Sequence, residues 1–185
     1  MIAALVRHPR PLVAAGICYG RLDLAEHDDA RGQIAAAVQS LGGFAAQAVW
    51  ASPALRCAGM AAAIADALGV PAAFDRRLLE MDFGSWEGQA WDDLPRAEID
   101  LWAADVMGFT PPCGENGAAL VARVAGFADQ ICDFGRDCVV ISHAGPLKVL
   151  RALLSRVPID LLAPSMPIGR VEFVTVSEPA APRIR

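Results

Sequence analysis

Short runs of consecutive apolar residues, separated by stretches with helical spacing, constrain the fold of this chain most strongly. Four runs have the length and content of buried strands, at residues 2–6, 48–50, 138–141 and 171–176. A buried strand that recurs between helices is typical of a sheet covered on both faces. The sequence therefore predicts an α/β fold of three layers, α/β/α, with a mostly parallel central sheet.

The stretches between these runs have the apolar spacing of amphipathic helices. The residues that define three of them are Leu55, Ala58, Ala62, Ala65 and Leu68, then Leu120, Val124, Phe127 and Ile131, then Leu147, Leu150 and Leu154. Asn116 is predicted to cap the second helix, and Pro146 to lie in the first turn of the third. A further helix is expected over much of residues 30–41.

No linker, repeat or charge block divides the chain, so we predict that residues 1–185 form a single domain. One segment differs from the rest in composition. It contains five of the aromatic residues, Phe83, Trp86, Trp91, Trp102 and Phe109. We expect a helical excursion over about residues 85–112 that covers the functional site and ends in the Pro-Pro-Cys-Gly turn at 111–114.

Charge and hydropathy exclude several classes of partner. The net charge is −5 and no basic stripe is present, which disfavours nucleic acid. No run approaches the roughly 18 apolar residues of a membrane span, and the apolar start is too short for a signal-peptide core. The five cysteines form no Cys-x-x-Cys pair, so neither a zinc site nor a disulfide framework is indicated. We expect a cytoplasmic protein without a membrane partner.

Polar residues follow three of the predicted strands at the point where each strand ends. Arg7-His8 follows the first, Ser52-Pro53 follows the second, and Ser142-His143 follows a late one. Ligands of open α/β sheets bind beyond the carboxyl ends of the strands, so parallel neighbouring strands would bring both imidazoles together there. Arg56 falls in the first turn of a helix, where a cation opposes the helix dipole and requires an anion.

Taken together, these motifs resemble those of the histidine phosphatase family, the phosphoglycerate mutase-like group. The matching motifs are Arg7-His8, Ser52-Pro53-Ala54-Leu55-Arg56, Leu78-Leu79-Glu80-Met81-Asp82-Phe83-Gly84 and Ser142-His143-Ala144-Gly145. They occur in the family's order and span about residues 2–150. Within the family, Cys-Tyr-Gly-Arg-Leu-Asp at 18–23 and Glu-Met-Asp-Phe-Gly-Ser-Trp-Glu-Gly at 80–88 look most like α-ribazole phosphatases.

The resemblance implies a metal-independent phosphatase of phosphoglycerate mutase-like fold that needs no cofactor. His8 would be the nucleophile, and Glu80 would protonate the leaving alkoxide. The phosphate would be held by Arg7, Arg56 and a protonated His143. Further substrate contacts are expected from Gly20, Arg21 and Ala144. The expected partner is a small phosphorylated metabolite, namely α-ribazole 5′-phosphate (or cobalamin phosphate) in assembly of the cobalamin lower ligand.

The first motif departs from the family pattern. The usual Arg-His-Gly is Arg7-His8-Pro9 here, and Arg10-Pro11-Leu12 replaces the polar residues that usually follow. Proline has no N–H, but its carbonyl can still orient the imidazole of His8. A phosphate contact from the missing polar residues must come from elsewhere or be absent.

Other interpretations stay open at this point. A histidine phosphatase for another small ester or for phosphohistidine, a mutase, and a non-catalytic phosphate-binding module share these motifs. The short chain disfavours the mutase, and the absence of His-x-His or His-Glu-x-x-His spacing disfavours a metal hydrolase. Arg21 could equally form a surface salt bridge, and at most one tryptophan is expected to touch substrate. A homodimer is left open.

Overall fold

The computed structural model describes residues 1–176, and all four predicted strands and all four predicted helices are present in it. The elements are β1 (Ile2–Arg7), α1 (Ala30–Ser40), β2 (Val49–Ala51), α2 (Leu55–Leu68), β3 (Ala72–Phe74), α3 (Arg96–Ala104), α4 (Gly117–Phe134), β4 (Cys138–Ser142), α5 (Ala144–Ser155) and β5 (Val171–Thr175). Short 3-10 turns lie at Arg76–Leu78, Gly84–Trp86 and Trp91–Asp93. As predicted, the Asn116 side chain caps α4, and Pro146 lies in the first turn of α5.

The strands form one sheet in the order β3-β2-β4-β1-β5. Neighbours pair in parallel except β5, which runs antiparallel to β1. The predicted three-layer, mostly parallel α/β/α fold is confirmed. β1 and β4 are adjacent, with Arg7 paired to Ser142, so the polar residues that follow both strands leave the sheet at the same edge.

Each face of the sheet has its own hydrophobic core. Ala3 and Leu5 of β1 pack with α4 and α5, whereas Ala4 and Val6 pack with α1 and α2. Successive strand residues point to opposite faces, which is why β1 contributes to both cores. The apolar positions predicted for α4 and α5 are all buried in the first core.

The apolar face assigned to α2 was partly wrong: Ala65 is buried and Leu68 packs against the second core as predicted, but Ala62 is exposed. The helix buries Cys57, Met60, Ala61 and Ile64, whereas Leu55 is 54% exposed. The helix is rich in alanine, and a small side chain is tolerated on either face, so its position does not identify the buried one. Sequence reasoning also missed β3, an edge strand whose three residues are all exposed and therefore form no buried apolar run.

Residues 83–109 pack around a third, smaller core formed by Cys18, Trp86 and Leu94. Gly84 fixes the start of this segment, because it has a φ of +56° and a Cβ there would meet the Pro112 carbonyl oxygen at 2.1 Å. Residues 177–185 lie outside the described part, so the single-domain prediction stays a prediction. No helix within residues 1–176 is long and apolar enough to cross a membrane.

Candidate active site

A cavity of about 360 Å³ opens where β1 and β4 end. Its charged and polar side chains are those of Arg7, Glu80, Lys148 and Ser165, and Gly20, Ala144 and Gly145 line it beside them. The rest is apolar or aromatic: Ile17, Tyr19, Met81, Phe83, Trp91, Trp102, Val106, Leu120 and Leu161. Four of the residues predicted for the site, Arg7, Gly20, Glu80 and Ala144, therefore line this cavity. His8, Arg56 and His143 are buried and are not among the lining residues, but His8 follows Arg7, His143 precedes Ala144, and Arg56 donates to the carbonyl oxygen of Gly20.

His8 follows β1 and is held as a neutral imidazole. Its Nδ1 lies 2.7 Å from the carbonyl oxygen of Pro9, which can only accept, so Nδ1 carries the proton and Nε2 keeps its lone pair. This confirms the prediction that the Pro9 carbonyl orients the ring. Burial, with a smaller contribution from Arg56 and Arg7, lowers the pKa of His8 to about 3. The ring is therefore neutral at neutral pH, with one proton on Nδ1.

His143 follows β4, with its ring centroid 5.0 Å from that of His8. Its Nδ1 accepts from Nε of Arg56 at 3.2 Å, and its Nε2 lies 2.7 Å from Oγ of Ser52. Burial, and next the Arg56 charge, hold the pKa of His143 well below its ordinary value. The prediction of an imidazolium is corrected here, because Arg56 Nε can only donate, so Nδ1 of His143 accepts from it and carries no proton in this arrangement.

Arg56 is fully buried, yet its guanidinium meets only neutral acceptors. It donates to the carbonyl oxygen of Leu22 at 2.6 Å, to that of Gly20 at 2.7 Å, and to His143. A buried cation is normally paired with an anion. Within residues 1–176 no salt bridge involves Arg56. The predicted need for an anion at this position thus persists in the folded chain.

Arg7 lies on the cavity wall with part of its donor capacity unused. Nη1 donates to the carbonyl oxygen of Met166 at 2.7 Å, whereas the buried Nε has no partner within residues 1–176. A buried donor without an acceptor is unfavourable, and a ligand oxygen would satisfy it. Together with Arg56, Arg7 gives this edge of the sheet an excess of positive charge.

Glu80 is positioned by backbone contacts on both sides. Its Oε1 accepts from the N–H of Met81 at 2.9 Å and from the N–H of Gly145 at 3.1 Å. The second contact depends on glycine, because a Cβ on residue 145 would lie 2.5 Å from Oε1. Arg123 of α4 fixes the same segment by donating to the carbonyl oxygen of Glu80 at 2.9 Å.

Arg21 does not line the cavity. It forms salt bridges with Asp82 at 3.0 Å and Glu115 at 3.1 Å, and Nε donates to the carbonyl oxygen of Glu80. The predicted substrate contact is corrected in favour of the salt bridge, since the guanidinium is occupied by two carboxylates. Gly20 does line the cavity, and a Cβ there would meet the Glu87 carboxylate at 2.1 Å.

Sequence reasoning missed three residues of this site. Lys148 lies on the cavity wall one helical turn beyond Ala144, and the i, i+4 spacing after the Ser-His motif could have identified it. Tyr19 lies on the same wall, with its ring 5.3 Å from the Arg56 guanidinium carbon. Arg123 had no local signal for its role at the site, because the three carbonyl groups to which it donates there are 43 to 46 residues away in the chain.

We expect acid to destabilise the fold through His8. A histidine in the unfolded chain has a pKa of about 6.5. The contribution of neutral, buried His8 to the free energy of unfolding is therefore fully present above that pH and is lost as pH falls toward about 3. At pH 5 the loss is about 2 kcal/mol. The free energy of unfolding is measured with urea at pH 7.5 and at pH 5.0. Between these two pH values it should fall by about 2 kcal/mol less in His8→Gln than in wild type. An equal fall in the free energy of unfolding for both proteins would contradict the assignment of His8 as a neutral, buried imidazole.

The family model described as histidine phosphatase superfamily (branch 1) matches residues 3–176. A protein of Mycobacterium tuberculosis described as bifunctional is 35% identical over 117 residues, which are 60% of this chain and 31% of that protein. The chain therefore spans about a third of the length of that relative. A glucosyl-3-phosphoglycerate phosphatase of Mycolicibacterium vanbaalenii is 28% identical over 170 residues, covering 84% of this chain and 75% of the relative.

Among solved structures, the α-ribazole phosphatase from Shigella flexneri superposes with a TM-score of 0.85 and covers 96% of each chain. Its sequence identity to this chain is 22%, so this likeness concerns the fold. The expected phosphoglycerate mutase-like fold is thereby confirmed.

Proposed function

The chain belongs to the histidine phosphatase superfamily, and from this premise we propose that it hydrolyses phosphate monoesters through a phosphohistidine intermediate on His8. One observation carries the proposal. His8 is a neutral imidazole with a free Nε2 lone pair, next to two guanidiniums that have no carboxylate partner within residues 1–176. A nucleophile beside uncompensated positive charge suits attack on a phosphate dianion.

In the first step, Nε2 of His8 attacks phosphorus, and the bond from phosphorus to the ester oxygen breaks. Phosphoryl transfer depends mainly on positioning and on positive donors around the phosphate oxygens. Arg7 offers its unpartnered Nε, and Arg56 would exchange its carbonyl acceptors for phosphate oxygens, with bidentate geometry. Glu80, protonated, gives its proton to the leaving alkoxide.

In the second step, water attacks the phosphohistidine. The Glu80 carboxylate takes a proton from this water, the bond from phosphorus to Nε2 breaks, and inorganic phosphate leaves. The His8 ring returns to its neutral form, with Nδ1 still bound to the Pro9 carbonyl. His143 keeps Arg56 in place through its Nδ1 and, as a neutral ring, acts on the phosphate through that contact.

For the substrate, α-ribazole 5′-phosphate is the candidate that the sequence resemblance favours. The wall of the cavity supports a planar group, since Tyr19, Phe83, Trp91 and Trp102 line it. The Shigella structure with the same fold carries the name of an α-ribazole phosphatase. On this proposal the enzyme acts in the cytoplasm on a small metabolite, in assembly of the cobalamin lower ligand.

A second candidate is a monoester that carries another anionic group. Lys148 on the same wall favours it, because an ammonium attracts an anion that a flat neutral base does not supply. The relative from Mycolicibacterium vanbaalenii is named for a phosphoglycerate ester, whose parent acid has a carboxylate.

The direct test is release of inorganic phosphate from a panel of esters in excess chelator. The panel contains α-ribazole 5′-phosphate, 3-phosphoglycerate, glycerol 3-phosphate and p-nitrophenyl phosphate. We expect turnover of p-nitrophenyl phosphate and of at least one metabolite, at rates that chelator leaves unchanged. Loss of activity in chelator would contradict the metal-independent mechanism. Binding of phosphate without turnover of any ester would favour the non-catalytic module.

A further inference from the structure

We propose that Lys148 selects phosphate esters that carry a second anionic group, a carboxylate or a second phosphate, and binds that group with its ammonium. This inference rests on the proposed phosphatase function and narrows its substrate class. α-Ribazole 5′-phosphate has no second anion, so the proposal favours the acidic esters over it.

Lys148 is placed at a distance from the reacting groups that suits this role. α5 begins at Ala144 directly after His143, and Lys148 lies on the next turn, about 6 Å further along the helix axis. Both Ala144 and Lys148 line the cavity. A phosphate held at the start of α5 would therefore leave the far side of a short substrate beside the ammonium.

The ammonium has donors to spare. Nζ donates to the carbonyl oxygen of Leu161 at 2.8 Å, a neutral acceptor, and an ammonium has three N–H groups. Within residues 1–176 no salt bridge involves Lys148. Because the Lys148 side chain is half-buried, its charge is partly desolvated, and this lowers the pKa of Lys148. The Arg7 charge also lowers the pKa, whereas the charges of Glu80 and Asp160 raise it. An anion from the substrate would relieve this cost.

The charges on the cavity wall also leave room for a second anion. Arg7 and Lys148 are the cations on the wall, and Glu80 is the one acidic residue among the lining residues. Arg56 is buried and contacts the carbonyl oxygen of the lining residue Gly20. Of the three cations, Arg7 belongs to β1 and Arg56 to α2, where they flank His8, whereas Lys148 belongs to α5 and lies one turn beyond Ala144. Lys148 is therefore the cation placed to meet a second anionic group rather than the phosphate itself.

Lys148 is the sole lysine of the chain; its other 15 cationic residues are arginines. An ammonium is a compact charge on a flexible stem, whereas arginine is a broad planar fork. The same uniqueness helps the experiment, because an amine-specific reagent can modify only Lys148 and the N-terminal amine.

The test compares 3-phosphoglycerate with glycerol 3-phosphate, two esters that differ only in a carboxylate replaced by a hydroxymethyl group. We expect wild type to have the higher kcat/KM for the acid. Lys148→Gln should lower the ratio of the two kcat/KM values by about tenfold or more, because a charge-assisted hydrogen bond is lost. Lys148→Arg, which keeps the charge, should recover much of the ratio.

Arg151→Gln is the matched control, because it removes a cation from the same helix. The Arg151 guanidinium is paired with Glu172 at 3.6 Å, and Arg151 is not among the residues that line the catalytic cavity. It should leave the ratio at the wild-type value. An equal ratio in wild type and Lys148→Gln would overturn the proposal, and so would an equal fall in Arg151→Gln.

A second measurement is independent of turnover. Acetylation of Lys148, followed by mass spectrometry, should be slowed more by 3-phosphoglycerate than by glycerol 3-phosphate at equal occupancy. Equal protection by both would overturn the inference. Hydrolysis of p-nitrophenyl phosphate reports separately on the phosphatase function, so a failure of selectivity is distinguished from a failure of catalysis.

Discussion

Replacing His8 with alanine is expected to lower the rate of phosphate release from every ester by a factor on the order of 10⁴ or more. The reason is that Nε2 of His8 is the one protein atom that forms a bond to phosphorus in the proposed mechanism. Rapid mixing of wild type with a ³²P-labelled ester, followed by quenching in alkali, should trap label on the protein. The bond should be stable in alkali and labile in acid, as expected for phosphorus bound to an imidazole.

His27→Ala is the matched control for His8→Ala. His27 lies away from the cavity and contacts Asp29 at 2.9 Å, so its loss should leave both turnover and labelling at wild-type levels. If His8→Ala retained label, or turned over p-nitrophenyl phosphate at more than about a hundredth of the wild-type rate, His8 would not be the nucleophile.

Replacing Glu80 with glutamine should slow esters with poor leaving groups far more than activated ones. A general acid contributes about 10²- to 10⁴-fold, and its contribution shrinks when the leaving group needs no proton. We therefore expect a loss of about 10²-fold or more on glycerol 3-phosphate and less than about tenfold on p-nitrophenyl phosphate. The measurement is kcat for a series of esters whose alcohols span a wide pKa range.

A second substitution tests the same carboxylate without altering it. In Gly145→Ala the new Cβ would lie 2.5 Å from Oε1 of Glu80, so the end of that side chain has to move. The same dependence on leaving group is expected, with a smaller loss. Glu172→Gln, at a carboxylate off the catalytic cavity, should show none. Equal slowing of all esters in Glu80→Gln would remove the acid role.

The sequence by itself determined the elements that carry the reacting groups. β1 and β4 are short buried runs followed by Arg7-His8 and Ser142-His143, and this information is local to a few residues. The parallel pairing that the α/β pattern predicts then brings the two imidazoles together. The role of Pro9 could also be foreseen, because the accepting carbonyl belongs to the residue next to His8.

Tertiary structure alone decided how the charges are used. Arg56 meets the Gly20 carbonyl across 36 residues of sequence, and Glu80 meets the Gly145 N–H across 65. Such contacts depend on the packing of distant segments, which local spacing does not encode. For the same reason the sequence left Arg21 open between a substrate contact and a salt bridge, and the structure decided for the salt bridge. The sequence thus determined which chemical groups are present and where the strands end, whereas the fold decided which of those groups remain available to a ligand.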